Sequence, residues 1–400
     1  MQSLKELYKV GKGPSSSHTL APERACLLFT KVFGTFPYYE AELFGSLSLT
    51  GKGHATDAVI ENTLPGETKI IFSLETKEEF PNGFYIRAYD ANHELQHSWT
   101  VFSLGGGSIQ IKEYHLDWDS EVYKENSYKE ISEVLSKKNI SLLDYIYAYE
   151  PDLKEHLKMI VQSELDCVEK GLNTEGLLPG KLNLLRSAKE LYESSFNTSS
   201  VEESRRLKMM AYAYAASEEN GAGHTCVTAP TLGACGVIAS MVNYYIRDCH
   251  FSMDKVSDAL AVGGIFGNLI KQNASISGAT AGCQAEIGAA VSMASASICY
   301  LENQDLKAIE YAAEIGMEHN LGLTCDPVMG YVLIPCIERN AMGILRSYDA
   351  ALLSKHMSNI KEHLVSFDMV VKTMKETGSQ IPITLKETSQ GGLAKEFFNE

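Results

Sequence analysis

The chain has 400 residues, of which 44% are hydrophobic and 22% are charged, a composition typical of a folded globular protein. This length exceeds what one ordinary core supports, so we expect two domains. Acidic residues outnumber basic ones by 51 to 35, and the formal net charge of −16 argues against nucleic acid or an anionic membrane as a partner.

The N-terminal residues are charged and show no export-signal pattern. The most apolar long segment, 276–301, contains Gln284 and Glu286, which favours a packed core helix over a membrane span. We therefore expect a cytoplasmic protein. Nine cysteines are an odd number, so free, metal-binding or catalytic thiols are favoured over disulfides.

The first candidate site in chain order is the segment GPSSSHT at 13–19, shortly before Pro22. Proline suits the first turn of a helix, so we predict a helix from here to Phe33. The backbone N–H groups and positive dipole end of a helix start, together with several hydroxyls, would bind a carboxylate. A polar loop with a capping serine or threonine fits the same residues equally well.

His54 is the second candidate. Alternation around Leu43–Leu49 predicts a strand, and a Gly-Lys-Gly turn then leads into a helix from about Ala55. A lone histidine is more often structural than catalytic. At a helix start, however, the dipole would lower its pKa and favour the neutral form that a general base needs.

Three further strands are predicted between residues 67 and 113, from alternation at 70–74, 84–88 and 99–103. Gly105–Gly107 follow the last of them. Backbone without side chains there would let a ligand or a neighbouring loop approach closely, and a plain loop fits equally well.

The β pattern ends in the charged stretch 117–138, and we place the domain boundary there. The prediction is an α+β N-terminal domain at 1–135 followed by an all-α C-terminal domain at 136–400. Helices rich in small residues at 232–246 and 277–301 predict a dense bundle with a buried site between them. Other helices are predicted at 142–150, 153–170, 182–194 and 201–220.

Cys283, Cys325 and Cys336 each have glycine or proline within two residues. Proline interrupts helical hydrogen bonds and pushes the preceding residue toward extended backbone, so these thiols are predicted to lie at turns that aim the sulfurs inward. Three such thiols could bind an iron–sulfur cluster and leave one iron open. Their spacing matches neither a zinc nor a ferredoxin pattern, so on the residues alone thiols that hold no metal are favoured over a metal site. Cys226 and Cys235, near another helix start, are further candidates for the surroundings of the site.

Seven segments together resemble the bacterial iron–sulfur-dependent L-serine dehydratases, and they occur in that family's order over essentially the whole chain. The arrangement resembles the fused form, in which a β-type domain precedes an α-type domain. The segments are GPSSSHT at 13–19, GSLSLTGKGHATD at 45–57, TAPTLGACG at 228–236, GCQAEIG at 282–288, EHNLGLTCDPV at 318–328, PCIERNA at 335–341 and KETSQGGLA at 386–394.

The resemblance implies deamination of L-serine to pyruvate and ammonia, with a [4Fe–4S] cluster and without pyridoxal phosphate. It implies that Cys283, Cys325 and Cys336 are the cluster ligands and that His54 and His18 are the catalytic histidines. It also implies an N-terminal domain akin to a substrate-binding domain of some phosphoglycerate dehydrogenases, an all-helical cluster-binding domain, and a homodimer.

Substrate binding is predicted for a set of residues near these motifs, namely Ser15, Ser16, Ser17, Thr19, Gly106 and Asn320. Several single-chain relatives end in a cysteine that caps the fourth iron, but the last ten residues here, GGLAKEFFNE, contain none. We therefore do not expect activation by displacement of such a tail.

Three other interpretations remain open. The same chemistry would serve L-threonine or L-cysteine, and one sequence does not set this preference. A non-catalytic amino-acid-binding protein of the same fold would retain the architecture without turnover. A zinc or thiol–disulfide protein is less favoured, because the chain has no pair of cysteines separated by two residues.

Overall fold

The structure is a computed structural model that describes residues 1–75, 78, 80, 82–116 and 121–397. An N-terminal region of strands and helices precedes a region built from helices, which confirms the predicted fold class. The strands are β1 (Val10–Lys12), β2 (Tyr38–Gly45), β3 (Glu67–Phe72), β4 (Asn82–Tyr89), β5 (Leu95–Gly105), β6 (Ser108–Ile111) and β7 (Thr225–Val227).

Five of these strands form one sheet in the order β3-β2-β4-β5-β6, with β2 and β3 parallel and the other pairs antiparallel. Helices α1 (Ala21–Phe33) and α3 (Thr56–Thr63) pack against the sheet. Alternate residues of β4, Phe84, Ile86 and Ala88, point into the same core, as the two-residue period of a strand requires.

The strand predicted through Leu49 ends earlier, at Gly45. The next four residues form the short helix α2 (Ser46–Leu49), in which Leu47 is buried. The alternating leucines therefore did not indicate a strand here. In the short helix Leu47 is buried and Leu49 is exposed. The chain then turns into α3, close to the predicted start at Ala55.

The helical region surrounds α12 (Ile287–Leu301), whose residues are buried except Tyr300. Its alanines, serines and Gly288 let neighbouring backbones pack closely. The other helices are α4 (Tyr128–Lys138), α5 (Leu142–Tyr149), α6 (Leu153–Leu172), α7 (Ala188–Ser194), α8 (Val201–Gly221), α9 (Cys235–Asn243), α10 (Met253–Asn273), α11 (Gly278–Ala281), α13 (Leu306–Glu318), α14 (Cys336–Met357), α15 (Phe367–Gln380) and α16 (Gly392–Glu396).

Two predicted helices are shorter or broken. The helix expected at 182–194 begins only at Ala188, because Leu185 pairs with Leu177 in an isolated β-bridge. The helix expected at 277–301 is interrupted at Gly282, whose φ of 75° no helix accommodates, and a turn of 3-10 helix (Cys283–Ala285) separates α11 from α12. This break places the buried Cys283 at the start of the 3-10 turn rather than inside an α-helix.

The N-terminal residues pack with the helical region rather than with the sheet. Strand β1 pairs with β7, and the terminal amine of Met1 donates to the Tyr123 carbonyl at 2.6 Å. Tyr8 and α4 belong to the core of the helical region. The division between residues 135 and 136 stays a prediction, and this packing indicates that the two regions exchange segments.

Among the residues that the structure describes, no helix combines the length and the apolar composition needed to cross a bilayer.

Candidate active site

Three thiols line one small cavity at the junction of the two regions, with a free volume of about 10 Å³. Cys283 begins the 3-10 turn after Gly282, and Cys336 is the first residue of α14. Cys325 lies on an extended segment that pairs with Lys386. The prediction that these thiols lie at turns and helix ends, with their sulfurs directed inward, agrees with this geometry.

A segment from the C-terminus fixes the backbone of Cys325. The Cys325 N–H donates to the Leu385 carbonyl at 2.8 Å, and the Glu387 N–H donates to the Cys325 carbonyl at 2.7 Å. Two flanking hydrogen bonds of this kind hold the thiol in one position without using its sulfur. The KETSQGG motif is thus a structural support of the thiol site.

Burial makes the three thiols weaker acids than ordinary cysteines. It raises the pKa of Cys283 to about 11, and it raises the pKa values of Cys325 and Cys336 well above their usual range. The nearby Arg339 guanidinium opposes this rise at Cys283 and Cys336. A metal group would displace the thiol protons on binding, so the site is chemically suited to a metal rather than to free thiolates.

The wall of the cavity is packed closely beside the Cys325 sulfur, and only glycine fits at position 278. A Cβ added at Gly278 would lie 3.1 Å from the Cys325 sulfur and 2.9 Å from a Glu286 carboxylate oxygen. Arg339, one turn along α14 from Cys336, donates to the Thr324 carbonyl at 2.7 Å. Three sulfur donors with a fixed cation beside them fit an anionic iron–sulfur cluster held by thiolates.

His54 reaches the same cavity from the N-terminal region. A Cβ at Gly53 would lie 2.7 Å from the backbone of Gly330, so glycine is required for the turn to abut the helical region. The Nδ1 atom of His54 lies 3.0 Å from the Thr50 carbonyl, which can only accept a hydrogen bond. Nδ1 therefore carries the proton, and Nε2 is left as the basic nitrogen.

Burial lowers the pKa of His54 to about 4. The sequence predicts such a shift from the dipole of the following helix. The ring is instead almost fully enclosed, at 1% exposure, and desolvation of the charged form is the leading cause. The expected neutral form is present, for a different physical reason.

His18 stacks on His54, with the ring centroids 4.1 Å apart, and hydroxyl groups surround it. Its Nδ1 lies 3.2 Å from the Ser15 hydroxyl and 3.0 Å from that of Ser17. Its Nε2 lies 2.9 Å from the Thr50 hydroxyl. Both ring nitrogens therefore have partners, and burial holds the pKa of His18 well below its usual range.

Glu387 completes this histidine pair, and sequence reasoning missed it. One carboxylate oxygen lies 3.5 Å from Nδ1 of His18 and 3.7 Å from Nε2 of His54. Burial, followed by the nearby Glu286 carboxyl, raises the pKa of Glu387 well above its usual range. Its presence in the KETSQGG motif was the available signal, but nothing local in that motif indicates contact with residues more than 300 positions earlier.

The predicted serines and threonine take different roles. Ser15 lines the cavity, whereas Ser17 contacts His18. The Ser16 hydroxyl accepts a hydrogen bond from the Leu232 N–H at 2.6 Å and so ties this segment to the helical region. The Thr19 hydroxyl donates to the Ser15 carbonyl at 2.6 Å. These hydroxyls shape the segment, and Ser15 alone among them lines the cavity.

The structure does not bring the other predicted residues to the cavity. A Cβ at Gly106 would lie 2.7 Å from a methyl carbon of Ile276, so this glycine packs between the two regions. Asn320 is buried, and its amide donates to the Gly316 carbonyl one helical turn earlier. Cys226 and Cys235 pack in a separate buried cluster with other residues of α8 and α9.

Comparison with known proteins places this geometry in a family. A family model described as the serine dehydratase alpha chain matches residues 84–394, and one described as the serine dehydratase beta chain matches residues 3–70. The chain belongs to the serine dehydratase family. L-serine dehydratase 1 of Escherichia coli strain K12 is 35% identical in an alignment of 455 positions, gaps included, that covers 98% of this chain and 99% of that protein.

L-serine dehydratases of Haemophilus influenzae and Streptomyces coelicolor are also 35% identical, and each alignment covers 98% of this chain. It covers 99% of the former protein and 98% of the latter. Within the serine dehydratase family match, His18 and His54 fall in the beta-chain part, and the three thiols and Glu387 fall in the alpha-chain part. The cavity is therefore built jointly by both parts of the family's architecture.

Proposed function

We propose that this chain is an L-serine dehydratase, a lyase that removes water from L-serine and releases pyruvate and ammonia. The family match and the names of relatives over almost the whole chain support this function. The observation that carries the proposal is that the basic Nε2 of His54 and the three thiols belong to one enclosed cavity.

We propose a [4Fe–4S] cluster as the cofactor, in a family of the iron–sulfur type. Cys283, Cys325 and Cys336 would hold it as thiolates, and their common cavity and the neighbouring Arg339 support this assignment. When bound through only three thiolates, such a group supplies an open iron that acts as a Lewis acid on a hydroxyl oxygen, which makes hydroxide a better leaving group.

His54 is the proposed base that removes the Cα proton of serine. Its Nδ1–H donates to the Thr50 carbonyl, so the ring keeps one orientation and one tautomer while Nε2 accepts the proton. With a pKa of about 4, the ring is neutral at the start of the reaction. Loss of the Cα proton and of hydroxide forms aminoacrylate, which tautomerises and hydrolyses to pyruvate and ammonia.

His18 is better suited to positioning than to proton abstraction. Its nitrogens are both engaged by hydroxyls, and its ring lies flat against His54. The Ser15 hydroxyl lines the cavity at the same end, and we propose that it binds the substrate carboxylate. Substrate roles for Ser16, Ser17, Thr19, Gly106 and Asn320 stay predictions.

An anaerobic assay of pyruvate formation tests the function. L-serine, L-threonine and L-cysteine are supplied separately to protein purified without oxygen, and the 2-oxo-acid products are measured. We expect L-serine to be turned over fastest. A protein that holds its cluster but gives no product from any of the three would support the amino-acid-binding interpretation instead. The homodimer and the cytoplasmic location stay predictions, and sedimentation analysis would test the first.

A further inference from the structure

Glu387 has an unusual environment for a carboxylate. Its side chain is buried, and one of its oxygens, Oε2, has no hydrogen-bond partner among the described residues. It lines the cavity together with Ser15, His54 and the three thiols. A buried carboxylate with an unused oxygen is costly unless a ligand supplies the missing partner.

The neighbouring histidines do not supply a positive charge. Burial lowers the pKa values of both His18 and His54, so each ring is neutral near pH 7. Of the described residues that line the cavity, none is a lysine or an arginine. The Oε2 side of Glu387 is therefore a place where a cation would be stabilised and where the described lining residues provide none.

Glu286, the other carboxylate of the cavity, differs in this respect. Its Oε2 atom lies 3.9 Å from the Cys325 sulfur, and Gly233 and Gly278 pack closely against the carboxyl group. Burial raises the pKa of Glu286, and the nearby Arg339 guanidinium opposes this rise. Glu286 thus belongs to the thiol side of the cavity and has a cation nearby, whereas Glu387 lies on the histidine side without one.

We propose that Glu387 is the subsite that binds the α-ammonium group of the amino-acid substrate. This inference rests on the proposed function. The four substituents of the serine Cα then have distinct destinations: the carboxylate at Ser15, the hydroxymethyl group toward the thiols, the proton at His54 and the ammonium at Glu387. The Glu387 Oε1 atom lies 3.7 Å from the His54 Nε2 atom. This distance suits the contact of the carboxylate with the ammonium and of the histidine with the proton, since both substituents are attached to Cα.

Such a subsite determines specificity. An ammonium beside Glu387 favours the ionised carboxylate and forms a charge-assisted hydrogen bond, whereas a hydroxyl in its place forms a weaker neutral one. The site is therefore predicted to prefer α-amino acids over the corresponding α-hydroxy acids. L-glycerate, which carries a hydroxyl where L-serine carries the ammonium, is the matched probe.

The test compares binding of L-serine and L-glycerate in a His54→Gln background, in which turnover is blocked. Each ligand is titrated anaerobically against the visible spectrum of the cluster. Adding Glu387→Gln is expected to weaken L-serine binding by about 10- to 100-fold, and to weaken L-glycerate binding much less, because only the ammonium loses a charged partner. Glu387→Asp, which keeps the charge, is expected to recover part of the L-serine affinity.

Glu164→Gln is the matched control, since Glu164 is fully buried and both of its carboxylate oxygens lack partners among the described residues, but it does not line the cavity. It is expected to leave both affinities unchanged. Iron content and thermal melting verify that each variant is folded and loaded. An unchanged preference for L-serine in a loaded Glu387→Gln protein would overturn the subsite, as would a selective loss caused by Glu286→Gln instead.

These outcomes are separate from failure of the proposed function. If the unsubstituted protein forms no pyruvate from L-serine, the function itself fails. If it forms pyruvate and Glu387→Gln retains the preference, only the ammonium subsite fails.

Discussion

The two sides of the cavity are built in different ways. On the histidine side, the rings of His18 and His54 are stacked and hydrogen-bonded to hydroxyls and a carbonyl, so their positions are fixed by protein contacts. On the thiol side, backbone contacts fix the chain, and the proposed cluster would be the main partner of the Cys283 and Cys336 sulfurs. The histidine side is thus preorganised, and the thiol side would be completed by the proposed cluster.

The largest expected effect comes from removing a thiol. Cys336→Ala should lower iron content sharply and reduce pyruvate formation by about 100-fold or more. Loss of a contact that only supports a metal ligand typically costs about 10- to 100-fold in affinity or activity, and loss of the proposed ligand itself should cost at least as much. Iron analysis and the anaerobic assay measure both. Cys299→Ala is the control, since Cys299 is also a free cysteine but is buried in the helical core, where it contacts Ser354. Equal iron loss in both variants would contradict a specific role for Cys336.

Replacing the proposed base, His54, should impair turnover on the histidine side without affecting iron binding on the thiol side. His54→Gln is expected to lower kcat for L-serine by about 10²- to 10⁴-fold while iron content stays at the level of the unsubstituted protein. His156→Gln provides the control, because His156 also contacts a backbone carbonyl, that of Tyr8 at 2.9 Å, but lies away from the cavity. Normal turnover by a loaded His54→Gln protein would show that another group removes the proton.

The pH profile tests the environment of the histidine side. Because the pKa of His54 is lowered to about 4, the base remains neutral as the pH falls from 8 through 6.5. The acid limb of kcat/KM, measured anaerobically, should therefore lie well below pH 6.5. If activity fell by half near pH 6.5 because His54 became protonated there, the result would contradict the lowered pKa of the buried ring.

The same shift has a consequence for folding. In the unfolded chain His54 regains its usual pKa of 6.5, so the unfolded state binds a proton that the folded state does not. The contribution of His54 to stability is complete above pH 6.5 and is lost as the pH falls from 6.5 toward 4.

The smallest effect is expected at the hydrogen bond between Ser16 and Leu232, which joins the N-terminal region to the helical region. Ser16→Ala removes the acceptor for the Leu232 N–H and should cost about 1 kcal/mol of unfolding free energy, with a few-fold loss of kcat/KM as the Ser15 segment loosens. Ser240→Ala removes a hydrogen bond of similar length within the helical region, to the Met209 carbonyl at 2.7 Å. It should reduce stability similarly and leave kcat/KM unchanged. Denaturant unfolding and steady-state kinetics measure these values.

Features that depend on local sequence were predictable. Proline and glycine beside Cys283, Cys325 and Cys336 indicated turns, and alternation located β4 and β5. Arg339 was also within reach of local reasoning, since residues three apart on a helix lie on one face and Cys336 begins that helix.

Features that depend on distant pairing were not predictable. Glu387 reaches the histidines only because its segment pairs with Cys325 more than 60 residues earlier. The position of β1 depends likewise on β7, more than 200 residues later. Periodicity carries no information about such partners. The cause of the low pKa at His54 was also missed, because burial depends on the whole fold rather than on the adjacent helix.

Iron and acid-labile sulfide per chain, measured on protein purified without oxygen, test the central claim most directly. The account predicts about four of each, as expected for a cubane cluster held by the three thiols. A chain that holds no iron even after anaerobic reconstitution would contradict the proposed cofactor and the dehydratase chemistry that depends on it.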